Sequence, residues 1–258
     1  MLRYRYLFDQ MVRRELRQKY KGSALGVLWY LVNPLVLMGA YYLLFGLLLP
    51  GARTADYPLF LMVGLVVWLF FSQSLLQAAP SLVAQGALVR KVRFPRETIP
   101  ASAVTVQLAT FTALLVLLTP VMLAVRGTLD PALLLLPVIV ALLFCFVLGL
   151  ALIVSVLHAH FRDVEPILAT ALLPWFFLSP IFFRVGDLPG VDDHPWARTL
   201  LEWINPVAPF IDAARDVLYS GTAPGWGTLL YIAVAAAVAL FLGRVVFRAL
   251  EAELAVVV

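Results

Sequence analysis

The chain of 258 residues is 63% hydrophobic and only 13% charged, with a formal net charge of +4. About a quarter of the residues in a soluble domain are charged, so this composition excludes a solvated globular domain and predicts an integral membrane protein. The single cysteine, Cys145, excludes an internal disulfide and a Cys/His zinc site. The basic residues cluster beside apolar segments, which indicates the positive-inside bias of membrane proteins and not nucleic-acid binding.

Residues 1–26 are predicted to form a basic, imperfectly amphipathic helix, and their many charges argue against a signal peptide. Apolar residues recur on one broad arc of this helix, interrupted by Arg5 and Glu15. Basic residues lie opposite, among them Arg13, Arg14 and Arg17. Two interpretations stay open: the helix lies on anionic lipid headgroups, or it docks a cytoplasmic partner.

Six apolar windows without charged residues are candidates to cross about 30 Å of hydrocarbon, and the fifth of them is short. They predict an all-α integral membrane protein with membrane-spanning helices at 27–49, 58–79, 98–125, 131–157, 166–183 and 222–243. Five prolines inside these windows predict kinks or helix ends: Pro34, Pro120, Pro137, Pro174 and Pro180. Fourteen of the nineteen Lys and Arg residues lie on the side of the termini and the 80–97 loop. Both termini are therefore predicted to be cytoplasmic.

The loop at 80–97 holds four cations and one anion, and it is too long for a minimal turn. Ser81 is predicted to cap a short helix that runs to about Val89. The charge fits ordinary topogenic signals, while the helix would suit the transmission of force from a soluble motor. At 158–166, His158 and His160 suggest a metal pair that lacks a third ligand, and Asp163 is predicted to cap the next helix.

The stretch at 184–220 predicts two short external re-entrant helices at the outer leaflet. Asp193 is expected to cap the first helix, which runs from about 195 to 203 and ends at Asn205-Pro206. The second begins near Pro209 and is predicted to place Asp212, Arg215 and Asp216 on a polar face, opposite Phe210, Ala214, Val217 and Leu218. The run Asp192-Asp193-His194 fits either a metal or catalytic cluster, or loop solvation and capping.

Aromatic residues make up 12% of the chain and concentrate in three of the predicted spans. An interfacial belt, lipid contact and internal packing are all possible uses. Aromatic faces in a conduit would instead stack on sugar rings. Nine residues are candidates for such a substrate pathway: Trp29, Tyr30, Tyr41, Tyr42, Phe45, Trp68, Trp175, Phe176 and Phe182.

Several motifs are missing from the sequence. No phosphate-binding loop follows any lysine. The predicted spans lack the titratable residue that a proton-coupled transporter needs, and the cytoplasmic side lacks the acidic cluster that would hold a metal on a diphosphate. No Ser/His pair resembles a nucleophile with its base. These observations favour a conduit that is powered by another chain.

The segment at 13–34 resembles the leading segment of ABC-2 type permeases that export O-antigen, capsular polysaccharide or teichoic acid. Its basic helix is followed by Leu25-Gly26, then Trp29, and by Pro34 in the first span. Similar matches are Arg93-Phe-Pro-Arg96, Phe161-Arg162-Asp163 and Asn205-Pro206. Together they cover essentially the whole chain in order.

The resemblance implies a homodimeric permease of the inner membrane, with two copies of a separate ATPase subunit that binds ATP and Mg. This chain would hold no cofactor or metal. The substrate would be a polyprenyl-diphosphate-linked glycan; a permease for drug or lipid efflux and a membrane-embedded enzyme of lipid-linked glycan metabolism are the alternatives. The implied ATPase-subunit interface comprises Arg13, Arg14, Arg17, Ser81, Gln85, Arg90, Lys91, Arg93, Arg162 and Asp163. The implied external gate comprises Trp196, Trp203, Asn205, Pro206 and Phe210.

Overall fold

The computed structural model describes residues 5–20, 29–48, 56–91, 94–128, 130–188, 190–191 and 193–254. All regular structure within these residues is helical. The first half contains α1 (Arg5–Tyr20), α2 (Trp29–Tyr41, continued by a π-helical segment Tyr42–Leu48), α3 (Tyr57–Ala78), α4 (Ser81–Ala84), α5 (Gly86–Lys91) and α6 (Thr98–Arg126). The second half contains α7 (Leu136–His160, preceded by the 3-10 turn Pro131–Leu135), α8 (Val164–Leu178), α9 (Pro195–Thr199, continued by Leu200–Ile204), α10 (Ala208–Arg215, continued by Asp216–Ser220) and α11 (Trp226–Leu250, followed by the turn Glu251–Glu253).

Four helical segments of the described chain are long and apolar enough to cross a membrane: Tyr57–Ala78, Thr98–Arg126, Pro131–His160 and Trp226–Glu253. The windows predicted at 27–49 and 166–183 contain shorter apolar helices, Val32–Phe45 and Val164–Leu178. At 1.5 Å per residue, the 15 residues of α8 rise about 22 Å. This helix alone is therefore shorter than the hydrocarbon layer.

Helix α3 forms the centre of the bundle. It starts at Tyr57-Pro58, where proline is compatible with the first helical turn. Apolar residues are buried on every side of this helix, and Phe60, Leu61 and Phe71 have no exposed surface. Helices α2, α6, α7 and α10 all pack against it. A helix that is apolar on every side belongs inside a body of other helices, and α3 takes that place here.

Helices α7 and α11 form the most extensive helix pair. Their backbones approach at two glycines, since a Cβ atom on Gly243 would overlap the carbonyl oxygen of Gly149. Small residues allow such an approach inside membranes, where close packing drives helix association. The two helices therefore form one tightly packed unit.

Candidate functional surfaces

At one end of the bundle, here called the α1 end, α1 packs against α6, and its Glu15 reaches Gln85 between α4 and α5. A hydrophobic group called the α1-end cluster holds these elements together. Its buried members are Met11, Leu82, Val89, Phe94, Ile99, Leu152, Val156, Ala159, Phe247 and Leu254. These residues come from six helices, from the segment before α6 (Phe94) and from the segment that follows α11 (Leu254). The predicted interface helix and the predicted coupling loop therefore contribute to one hydrophobic core.

Glu15 joins the same elements by hydrogen bonds. Its Oε1 accepts a bond from Gln85 Nε2 at 3.2 Å and lies 3.0 Å from the hydroxyl of Ser102 in α6. Burial raises the pKa of the Glu15 carboxyl, while the bonds from Ser102 and Gln85 and the charge of Arg14 partly oppose that rise. The residue that interrupts the predicted apolar arc thus connects α1 to the loop and to α6.

The prediction that Ser81 caps one short helix is wrong. Pro80 occupies the N-cap, and the buried Ser81 hydroxyl donates to the Ala78 carbonyl at 2.6 Å, within the preceding turn. The helix is also interrupted at Gln85, which separates α4 from α5. Of the predicted interface residues, Ser81 is turned inward and Gln85 is engaged with Glu15.

The exposed members of the predicted ATPase interface lie on three elements. Arg13, Arg14 and Arg17 project from α1, and Arg13 pairs with Asp9 at 2.8 Å. Arg90 and Lys91 are exposed at the end of α5. Arg162 and Asp163 are exposed in the turn between α7 and α8, where Asp163 takes the N-cap position without a side-chain capping bond. Arg93 lies outside the described residues.

The two histidines of the predicted metal pair have separate partners. His158 Nε2 lies 3.7 Å from Glu165, whereas His160 Nδ1 lies 2.8 Å from the Val156 carbonyl and its Nε2 3.5 Å from Glu253. Among the described residues, no group of three or more His, Cys, Asp or Glu side chains is placed to hold a metal. Asp192, from the second suggested cluster, lies outside those residues.

The candidate pathway aromatics pack mainly on one another. Trp68 contacts Trp175 at a centroid distance of 6.2 Å, and Phe182 contacts Tyr41 at 4.9 Å and Phe45 at 4.6 Å. The pair Tyr42 and Tyr57 lies at 6.5 Å, and Phe176 joins Trp68 at 5.6 Å. Trp29 is 51% exposed, and the side chain of Tyr30 lies outside the described part. Within one copy of the chain, these contacts favour internal packing of α2, α3 and α8.

At the opposite end, here called the α9 end, the two short helices differ sharply. None of the residues of α9 and its continuation is buried, and Trp196 and Trp203 are 67% and 44% exposed. His194, not Asp193, occupies the N-cap of α9. In contrast, α10 lies inside the body against α3, α7 and α11, with Phe210 fully buried. The two predicted short helices therefore differ in burial: α10 packs within the helical body, and α9 does not.

The structure does not place Arg215 on the polar face of α10 that the sequence predicts. It is 4% exposed, and its guanidinium carbon lies 3.6 Å from the centre of the Phe60 ring. Its Nη1 donates to the carbonyl of Pro180, and its Nη2 donates to the carbonyl of Ile181 at 2.7 Å. A weaker contact of 3.5 Å reaches the Phe60 carbonyl. The predicted solvent-facing cation is a buried donor instead.

Asn205 and Tyr57 serve the same short stretch of chain. Asn205 Nδ2 donates to the Ser179 hydroxyl at 3.0 Å, and its Oδ1 accepts from Trp175 at 2.9 Å. The Tyr57 hydroxyl donates to the Phe182 carbonyl at 2.8 Å. Non-helical backbone inside a membrane protein must find internal partners. Arg215, Asn205 and Tyr57 provide them where the chain leaves α8.

Sequence reasoning missed Arg215 and Tyr57 as functional residues. The one available signal was the sequence around Arg215, which follows the apolar run 207–211 and lies between the apolar pairs Ala213-Ala214 and Val217-Leu218. Its partners lie 35 residues away at Pro180 and 155 residues away at Phe60. No local pattern identifies contacts at such separations.

Comparison of the sequence with known proteins identifies its family. The sequence model of the ABC-2 type transporter family matches residues 6–219. The O-antigen export system permease protein RfbA of Myxococcus xanthus is 31% identical over 99% of this chain and 96% of its own length. RfbA of Klebsiella pneumoniae is 31% identical over 84% of this chain and 83% of its own, and the polysialic acid transport protein KpsM of Escherichia coli is 26% identical over 94% and 93%. The chain therefore belongs to the ABC-2 type transporter family, as a membrane-embedded transport component and not an enzyme.

Proposed function

We propose that this chain is the permease subunit of an ATP-driven exporter that moves a polyprenyl-diphosphate-linked polysaccharide across the inner membrane. The observation that carries the proposal is full-length similarity to permeases named for O-antigen export and polysialic acid transport. The sequence motifs at 13–34, 93–96, 161–163 and 205–206 also support it.

The proposed topology has six spans and cytoplasmic termini. Helix α2 and its π-helical continuation comprise 13 and 7 residues, which together rise about 30 Å. The shorter α8 is continued by buried residues 179–182, where Arg215 and Tyr57 donate to backbone carbonyls and Asn205 donates to the Ser179 hydroxyl. The excess of Lys and Arg beside the α1 end assigns that end to the cytoplasm.

ABC-2 permeases work with a nucleotide-binding ATPase partner, and we place its docking surface at the α1 end. Two ATPase subunits would bind two copies of this chain, and they would supply ATP and Mg. The exposed cations of α1 and α5 form the contact surface. Because Glu15 joins α1 to Gln85 by a hydrogen bond, a displacement of α1 or of the coupling loop is transmitted to the other.

Burial of the residues implied for the external gate supports a narrower gate. Exposed α9 and its continuation, which contain Trp196 and Trp203, form the moving element, and their movement breaks the hydrogen bond that the Trp203 carbonyl accepts from the Tyr231 hydroxyl of α11. Buried α10 is a fixed part of the body, and Asn205 attaches the end of the α9 segment to α8. We propose that α9 pivots next to Asn205-Pro206 at the exit while α10 stays in place.

Reconstitution with the partner ATPase tests the function. The purified permease alone should hydrolyse no ATP, and the complex should hydrolyse ATP and transport lipid-linked glycan. The change of Arg90 and Lys91 to Glu should uncouple the complex, since like-charge contact at a partner surface can cost several kcal/mol. Arg244→Glu, an exposed change on α11, is the control. Normal export by a correctly inserted Arg90/Lys91 variant would contradict the docking surface, and stimulation by drugs alone would indicate efflux.

A further inference from the structure

The last described residues of the chain are held tightly at the α1 end. The sequence predicts that the final span stops at 243. Instead α11 continues to Leu250, turns through Glu251–Glu253, and buries Leu254 completely. Leu254 and Phe247 both belong to the α1-end cluster. Residues 247–254 are called the C-terminal segment below.

Three polar contacts connect this segment to neighbouring elements. Nη1 of Arg96 donates to the carbonyl of Glu251, and Nε of Arg248 lies 3.5 Å from a carboxylate oxygen of Glu97. Glu253 lies 3.5 Å from His160 at the end of α7. Two of these partners belong to the predicted coupling loop, and the third belongs to the helix that packs against α11.

These contacts differ in strength. Arg248 and Glu253 are 72% and 71% exposed, so their ion pairs contribute little. The contact of Arg96 is stronger in principle, because a cation at the carboxyl end of a helix meets free carbonyls and the negative end of the helix dipole. Leu254 is buried in the same hydrophobic cluster as Phe94 and Val89. The segment therefore contacts the end of the coupling loop at Arg96 and Glu97 and shares a core with α5.

We propose that the C-terminal segment positions the coupling loop and joins it mechanically to the α7–α11 pair. This inference rests on the proposed coupling function of the loop. Gly149 and Gly243 pack α7 and α11 so closely that the pair moves as one body. A displacement of α5 by the ATPase then moves α7 and α11 together, because Arg96 and Leu254 prevent the loop from sliding past them.

Hydrogen exchange on the full-length permease in nanodiscs tests the positioning without any partner. Leu254→Ser and Arg96→Gln should each raise the exchange of amides at 86–99 about tenfold, equivalent to about 1.4 kcal/mol. The α3 amides should stay unchanged. Arg244→Gln, an exposed change on the same helix, should leave both regions as in the wild type. Wild-type exchange at 86–99 in both test variants would overturn the proposal.

Spin-label distances in the complex with the ATPase test the mechanical connection. Labels at Ala87 and Leu242, both exposed, are introduced in a Cys145→Ala background. The wild-type distance should stay the same with and without bound ATP, while in Leu254→Ser it should change with nucleotide. A nucleotide-dependent wild-type distance, or a constant one in the variant, would overturn the connection. Failure of the ATPase to bind would instead count against the proposed function, and the exchange experiment would still decide the positioning.

Discussion

The contact of Arg215 with the end of α8 leads to a stability prediction with a defined magnitude. In Arg215→Met the side chain keeps much of its volume but loses its donors to Pro180 and Ile181. A hydrogen bond to a charged group contributes about 1.5–3 kcal/mol, and an unsatisfied buried carbonyl costs about 1–3 kcal/mol. Removal of a buried cation recovers part of its desolvation penalty, so we expect a net loss of about 3–5 kcal/mol.

The loss is measured by unfolding in mixed micelles, followed by tryptophan fluorescence. A second readout is the alkylation of Ile181→Cys in a Cys145→Ala background, since Ile181 has no exposed surface. A local loss of about 3 kcal/mol raises the open population about 100-fold, and alkylation should accelerate accordingly. Arg244→Met, an exposed arginine, should change stability by about 0.5 kcal/mol or less. Equal stability of the two variants, with 181 still protected, would refute the assigned role of Arg215.

Three further changes test other contacts. Because burial raises the pKa of Glu15, the fold favours its protonated form, and the stability that this residue adds is present at low pH and is lost as pH rises through the folded pKa. On acidification from pH 7, the wild type should therefore gain stability relative to Glu15→Gln, as measured by unfolding. Parallel pH curves of the two proteins would contradict this. Asn205→Leu leaves the Trp175 N–H without its acceptor and removes the bond that the Ser179 hydroxyl accepts, and should cost about 1–3 kcal/mol and raise protease cleavage near α9, whereas wild-type cleavage would contradict the attachment. Gly243→Ala should cost about 1–3 kcal/mol by separating α7 from α11. Its control is Gly39→Ala, whose added methyl group meets no neighbouring atom. Equal melting temperatures of the two variants would show that α7 and α11 do not need their close backbone contact.

The interface helix shows where sequence reasoning succeeds and where it stops. Its amphipathic pattern predicts that one face is buried, and Met11 is indeed buried there. The same pattern treats Glu15 as a defect, because a helical wheel contains no information about the partner helix. Only the packed structure shows that Gln85 and Ser102 supply donors at that position.

The short helices of the α9 end show the same limit for burial. The sequence predicts two amphipathic helices of similar kind, and Trp196 and Phe210 read alike as apolar anchors. In the structure Trp196 is largely exposed and Phe210 is fully buried. The difference depends on how α10 enters the space between α3, α7 and α11, and each of those helices lies far from it in sequence.

The sequence by itself determined the membrane class, the apolar segments and the charge asymmetry, because a hydrocarbon layer acts on each segment through its own composition and length. It also carried the family resemblance, which is a property of residues in order. Only the tertiary structure decided that Arg215 is an internal donor, that Glu15 is a connector and that Leu254 belongs to a packed core. Each of these roles requires partners from distant parts of the chain, and their meeting depends on how the helices pack and not on the composition of any one of them.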